Sequence, residues 1–105
     1  AFAWDIGAAV ICDFEGNDKY VSPGHGAASA SNAGLAVLYD AAGNDVYEGS
    51  PPATVKQKTD YHPEEKTGGN FAFLIDGGGD DKYPDNLEDG KEYERGWAGG
   101  FLIDK

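Results

Sequence analysis

The chain has 105 residues, with 19 acids against 8 Lys and Arg and a net charge of −11, a length that bounds it to one domain with a modest core. That charge excludes nucleic acid as a natural partner, since phosphate binding needs clustered Lys and Arg, and makes cations the counterpart. Cys12 is the only cysteine, so no internal disulfide can form, and no apolar run approaches the roughly 20 residues of a membrane helix, which argues against membrane insertion.

The opening stretch AFAWDIGAAVIC is apolar and lacks the basic n-region of a signal peptide, so the start reads as a processed terminus or a cut within a longer protein. Its second half, GAAVIC (7–12), is the first of four β-prone runs that end at an acid; GLAVLY (34–39), NFAFLI (70–75) and AGGFLI (98–103) follow. The acids are Asp13, Asp40, Asp76 and Asp104, separated by 27, 36 and 28 residues. Side chains of a strand alternate between its faces. One face reads small, large, acid four times: Ala9, Ile11, Asp13; Ala36, Leu38, Asp40; Ala72, Leu74, Asp76; Gly100, Leu102, Asp104. The other face is apolar as well, which predicts strands covered on both sides, at least near their centres.

Each of the first three runs leads into a turn, DFEGNDKY (13–20), DAAGNDVY (40–47) or DGGGDDKY (76–83), which share the pattern D-x-x-G-[ND]-D-x-Y. The central Gly16, Gly43 and Gly79 are expected to permit a left-handed backbone. The extra length of the second repeat falls in 48–66, EGSPPATVKQKTDYHPEEK, where prolines and the lack of alternation predict an inserted loop. The repeats therefore run approximately 3–26, 27–66, 67–95 and 96–105, the last one incomplete. Neither end shows a polar cap, so the chain is expected to associate end to end, with itself or with flanking repeats of a longer parent.

With no 3.6-residue periodicity and turn-rich connections, the pattern predicts an all-β repeat fold. A parallel β-helix or β-solenoid with one coil per 27–36 residues is the first choice, because like residues then stack on like. Antiparallel hairpins and propeller blades stay open, since only one strand per repeat can be placed.

Each motif copy offers two carboxylates facing one bend: Asp13 with Asp18, Asp40 with Asp45, and Asp76 with Asp81. They could be turn formers that cap backbone amides and touch no metal. Stacking argues for more. Coils lie about 4.8 Å apart, at which two carboxylates repel by roughly 3.5 kcal/mol at an effective dielectric of about 20. Bound cations relieve this, and Ca2+ fits best because it takes carboxylates, Asn oxygens and turn carbonyls together. Zinc fits badly, with one cysteine and two scattered histidines, His25 and His62.

Tyr20, Tyr47 and Tyr83 read as an aromatic ladder, or alternatively as a surface row that stacks on sugar rings. Catalytic signals are weak. Ser22 has no placed base, the adjacent acids Asp80 and Asp81 do not define the separation a glycosidase needs, and Arg95, the only arginine, has acidic neighbours. Enzyme activity is the less favoured expectation.

In the third copy, Gly77, Gly79, Asp81 and Tyr83 fall on positions of the RTX calcium repeat, G-G-x-G-x-D-x-U-x, which the motif partly resembles. RTX units recur in tandem every nine residues, whereas these recur every 27 to 36, so RTX ligation between consecutive nonapeptides does not carry over. Over nearly its whole length the chain resembles bacterial secreted repeat proteins built from D-x-x-G-[ND]-D-x-Y units between glycine-rich strands. That resemblance implies no activity. The expectation is a structural or adhesive solenoid segment, extracellular or at the cell surface, stabilised by Ca2+ at its Asp turns. The runner-up is a carbohydrate-binding or polysaccharide-cleaving β-helix.

Overall fold

A computed structural model describes residues 1–56, 70–95 and 99–105, and every regular element in them is a strand. In chain order these are β1 (Phe2–Ala3), β2 (Ala8–Asp13), β3 (Lys19–Ser22), β4 (Ser29–Ser31), β5 (Leu35–Asp40), β6 (Val46–Gly49), β7 (Thr54–Lys56), β8 (Phe71–Asp76), β9 (Glu92–Arg95) and β10 (Gly100–Asp104). The strands sort into three sheets of order β1-β4-β7, β2-β5-β8-β10-β9 and β3-β6, and all neighbours but β9 and β10 run parallel. The fold is a β-solenoid in which successive coils contribute one strand to each sheet. Only the central strand of each coil was legible beforehand.

The register is that of the sequence columns. Asp13 pairs with Asp40, Asp40 with Asp76 and Asp76 with Asp104, with Leu38, Leu74 and Leu102 stacked two residues earlier. Parallel in-register pairing superposes equivalent side chains, so a repeated small, large, acid triplet becomes three internal columns. The alanine column (Ala36, Ala72) packs with Ala3, Ala30 and Val55 of the first sheet, where the sheets are too close for larger residues. The leucine column meets Tyr47, Ala28 and Ala53, and closes the wider part of the interior. Burying each leucine contributes about 1.5–3 kcal/mol.

Four expectations need correction. The opposite face of the main sheet is not covered among the described residues: Val10 is 60% exposed and Phe71 45%. Its apolar side chains shield one another instead, as in the stacked rings of Phe73 and Phe101 at 5.2 Å. The segment 48–66 does not leave the coil at its start, because Glu48 and Gly49 end β6, Pro52 is fully buried and Thr54–Lys56 form β7. The added length lies between β7 and β8, in residues 57–70, where the connections from β1 to β2 and from β4 to β5 need only 4–7 and 32–34; the part of the expected loop from 57 to 66 lies outside the described residues.

Two of the three turn glycines are needed for a different reason than conformation. Gly43 and Gly79 do not have positive φ, unlike Gly16 at 150°. A Cβ on Gly43 would instead collide with the carbonyl oxygen of Gly16, and one on Gly79 with that of Gly43. Turns stack so closely that only hydrogen fits between them.

Finally, the stack is capped on its C-terminal side. After Lys82, which bridges to Val46, the chain turns, lays β9 antiparallel along β10 and then enters β10 itself. The strand EYER thus places charged side chains on the edge that β10 would otherwise expose. At the opposite end β2 pairs, among the described residues, with β5 alone, and Ile11, the first member of the leucine column, is 41% exposed.

Candidate metal centre

The acids of the GND turns form a line along one corner of the solenoid. The first acids, at the ends of the main-sheet strands, are well supplied with donors. Asp40 accepts the Ala42 N–H through Oδ1 (3.2 Å) and the Tyr20 hydroxyl through Oδ2 (2.5 Å). Asp76 accepts the Gly78 N–H (3.2 Å) and the hydroxyls of Tyr47 (2.7 Å) and Tyr83 (3.2 Å). The turn-former reading therefore describes part of their role.

The tyrosines are an internal ladder, with ring centroids 5.0 Å apart for Tyr20–Tyr47 and 4.8 Å for Tyr47–Tyr83. Tyr47 is 3% exposed, so the row offers no platform for sugars. Burial first, and then hydrogen bonds to the carboxylates, pushes the Tyr20 and Tyr47 phenols up, which keeps them protonated as donors.

The second acids are different. Asp45 Oδ1 accepts the N–H of Asp18 one coil back (2.6 Å), and Asp81 Oδ1 accepts that of Asp45 (2.6 Å). Their Oδ2 atoms are buried with no hydrogen-bond partner among the described residues. Asp104 Oδ1 is orphaned in the same way, while its Oδ2 accepts the Gly90 N–H (2.8 Å). Orphaned buried oxygens are rare because desolvation goes unrepaid.

Three groups result, in each of which one carboxylate oxygen per residue lies within 4.8 Å of the others: Asp18, Asp40 and Asp45; Asp45, Asp76 and Asp81; Asp81, Asp89 and Asp104. The first two triads each combine the second acid of one coil with both acids of the next. The sequence placed the two acids of one turn together; the structure adds the second acid of the preceding coil. Asp13 stands outside the triads, where Oδ1 accepts the N–H of Phe14 (2.8 Å); among the described residues no coil precedes it to supply a third acid.

The electrostatics are severe. Asp40, Asp45 and Asp76 are all 0% exposed. Among the described residues the ion pairs Lys19–Glu48, Arg95–Asp85 and Lys105–Glu92 engage other acids. Desolvation by burial, followed by neighbouring carboxylates, pushes the carboxyls of Asp45 and Asp104 up and that of Asp81 to about 6. A carboxyl titrating near 6 is still mostly ionised at pH 7, so protons alone do not neutralise the line.

The remaining candidates sit elsewhere. His25 stacks on Phe2 at 4.0 Å, Cys12 is exposed, and His62 lies outside the described residues. The Ser22 carbonyl accepts the Ser50 N–H (3.0 Å) and the Asp80 N–H donates to Asn44 Oδ1 (2.9 Å). Arg95 pairs with Asp85 at 3.1 Å. Two contributors were missed by sequence reasoning. Asp104 was visible in the acid column, but Asp89, in DNLEDG, follows no repeat register. Comparison with protein-family models, curated protein sequences and solved structures returned no match.

Proposed function

We propose that this chain is a calcium-stabilised structural segment of an extracellular β-solenoid, serving as scaffold or adhesive spacer, and that coils add end to end at its open β2 side. The observation that supports it is the row of acid triads whose buried oxygens lack donors. All donors are oxygen, which suits a hard cation and excludes a zinc-type ligand set.

Charge selects a divalent ion. The three triads contain seven distinct aspartates, so three divalent ions would leave −1 where three monovalent ions would leave −4. Calcium tolerates irregular, shared carboxylates better than magnesium, which demands near-ideal octahedral geometry and keeps its water. Extracellular calcium is abundant enough to fill even weak sites, and an ion bound only by the stacked form stabilises that form by mass action.

Thermal melts in chelator and in millimolar calcium test the reading. At a calcium concentration about 100 times Kd the expected gain is about 2.7 kcal/mol. Identical midpoints would leave the aspartates as turn formers only.

A further inference from the structure

The third triad differs from the others in where its members come from. Asp81 is the second acid of the third turn and Asp104 the acid that ends the fourth strand, but the third member, Asp89, belongs to no GND turn. Asp89, on the turn between Lys82 and β9, stands where the other triads have the second acid of a GND turn. Its Oδ1 accepts the Asp81 N–H (3.1 Å), as Asp45 accepts that of Asp18 and Asp81 that of Asp45. The neighbouring Gly90 N–H donates to Asp104 (2.8 Å), the role that Ala42 plays for Asp40 and Gly78 for Asp76. The cap segment 89–90 thus imitates, from outside the repeat, the turn of a next coil.

The imitation extends to the unmet charge. Asp81 and Asp104 are 7% and 3% exposed, and each has one buried oxygen, Oδ2 and Oδ1 respectively, with no hydrogen-bond partner among the described residues. Asp89 brings an exposed carboxylate within 4.8 Å of both. We infer that Asp81, Asp89 and Asp104 form a divalent-cation site that fastens the C-terminal cap to the last coil, so that calcium controls whether β9 covers the edge of β10. This rests on the calcium reading of the two triads within the stack. Of the three sites, this one closes the fold instead of joining two repeats.

Asp89→Asn separates the two. The amide oxygen can still accept the Asp81 N–H, so the cap can form, but one charge of the site is gone. The measurements on the full chain are Ca2+ stoichiometry by equilibrium dialysis and amide exchange with and without calcium, with the exposed Asp80→Asn as control. The wild type and the control should bind three ions, and calcium should slow exchange in Glu92–Arg95 at least tenfold. Asp89→Asn should bind two, lose the calcium-dependent protection of Glu92–Arg95 and keep that of Phe71–Asp76. If Asp89→Asn matches the wild type in ion count and cap protection, or if the wild type binds only two ions, the cap site is overturned and the stack sites stand. If the wild type binds no calcium, both readings fall.

Discussion

Asp45 reaches back one coil to accept the N–H of Asp18 at 2.6 Å, while Asn17, beside Asp18 in the same turn, reaches forward to accept the N–H of Asn44 at 2.9 Å. In the Asn44–Asp45 pair the two side chains therefore point in opposite directions along the stack, Asn44 forward to the N–H of Asp80 and Asp45 back to that of Asp18. Both turn amides are satisfied where the sheet ladder is interrupted, which explains why an amide and an acid stand side by side. The arrangement uses one oxygen of Asp45 and of Asp81 and leaves the other buried without a hydrogen-bond partner among the described residues.

Opposite outcomes follow for two buried aspartates. Asp45→Asn retains an acceptor for Asp18 and replaces an orphaned charge by an amide that can donate to its acidic neighbours, so the metal-free protein should gain about 1–3 kcal/mol. The calcium-dependent gain should shrink, because Asp45 belongs to two triads. Asp76→Asn loses an acceptor that serves Gly78, Tyr47 and Tyr83, and should cost about 1–3 kcal/mol without calcium. Urea melts in chelator check both signs.

Acid should act in opposite directions on the two forms. The Asp81 carboxyl titrates near 6 in the folded chain, with Asp45 and Asp104 also raised, above the unfolded value of about 3.9. The metal-free fold thus binds protons that the unfolded chain does not. Its stability from this source is complete below about pH 4 and is lost as pH rises through about 6. For Asp81 alone the difference is roughly 3 kcal/mol. In chelator the melting midpoint should be higher at pH 5 than at pH 7.5. In millimolar calcium the order should reverse, since protons displace the ion.

How much of this was legible is set by periodicity. The columns Ala36–Leu38–Asp40 and Ala72–Leu74–Asp76 could be read because period-two alternation and exact repetition both fix a register. The strands SAS and TVK carry neither signal; they are strands because the coil presses them against Ala36 and Ala72. β9 was hidden for the opposite reason. EYER has no counterpart in other repeats, and its pairing partner is only four residues further on, a local hairpin inside a repeat of long-range contacts. Asp89 was hidden with it, because its role comes from replacing a turn and not from repeating one.

The turn glycines give a sharp test of close stacking. In Gly79→Ala the methyl group must enter the Gly43 carbonyl, and neither turn can move without disturbing the Asp45 and Asp81 amides. The expected cost is about 2–4 kcal/mol. Gly24→Ala meets nothing within 4 Å and should stay within about 0.5 kcal/mol of the wild type. Equal midpoints for the two variants would mean that the turns are not stacked in this way.

The two ends of the stack differ, and the proposed end-to-end assembly depends on that difference. β10 is covered by β9, whereas β2 has one neighbour among the described residues, and its inward Ile11 is 41% exposed where Leu38 is 1%. A parallel coil laid on β2 would bury Ile11 in the leucine column and pair the free backbone groups of that edge. It would also bring a second acid to Asp13, which has no triad of its own among the described residues. Association through this end should therefore strengthen with calcium. Ile11→Lys places a charge where a leucine-like residue would be buried, a substitution that edge strands use to refuse partners. Sedimentation velocity across a concentration series should show wild-type mass rising with concentration, more so in calcium, and Ile11→Lys remaining at the mass of one chain. A wild type that stays monomeric in both buffers would show that β2 is not a joining edge for this chain.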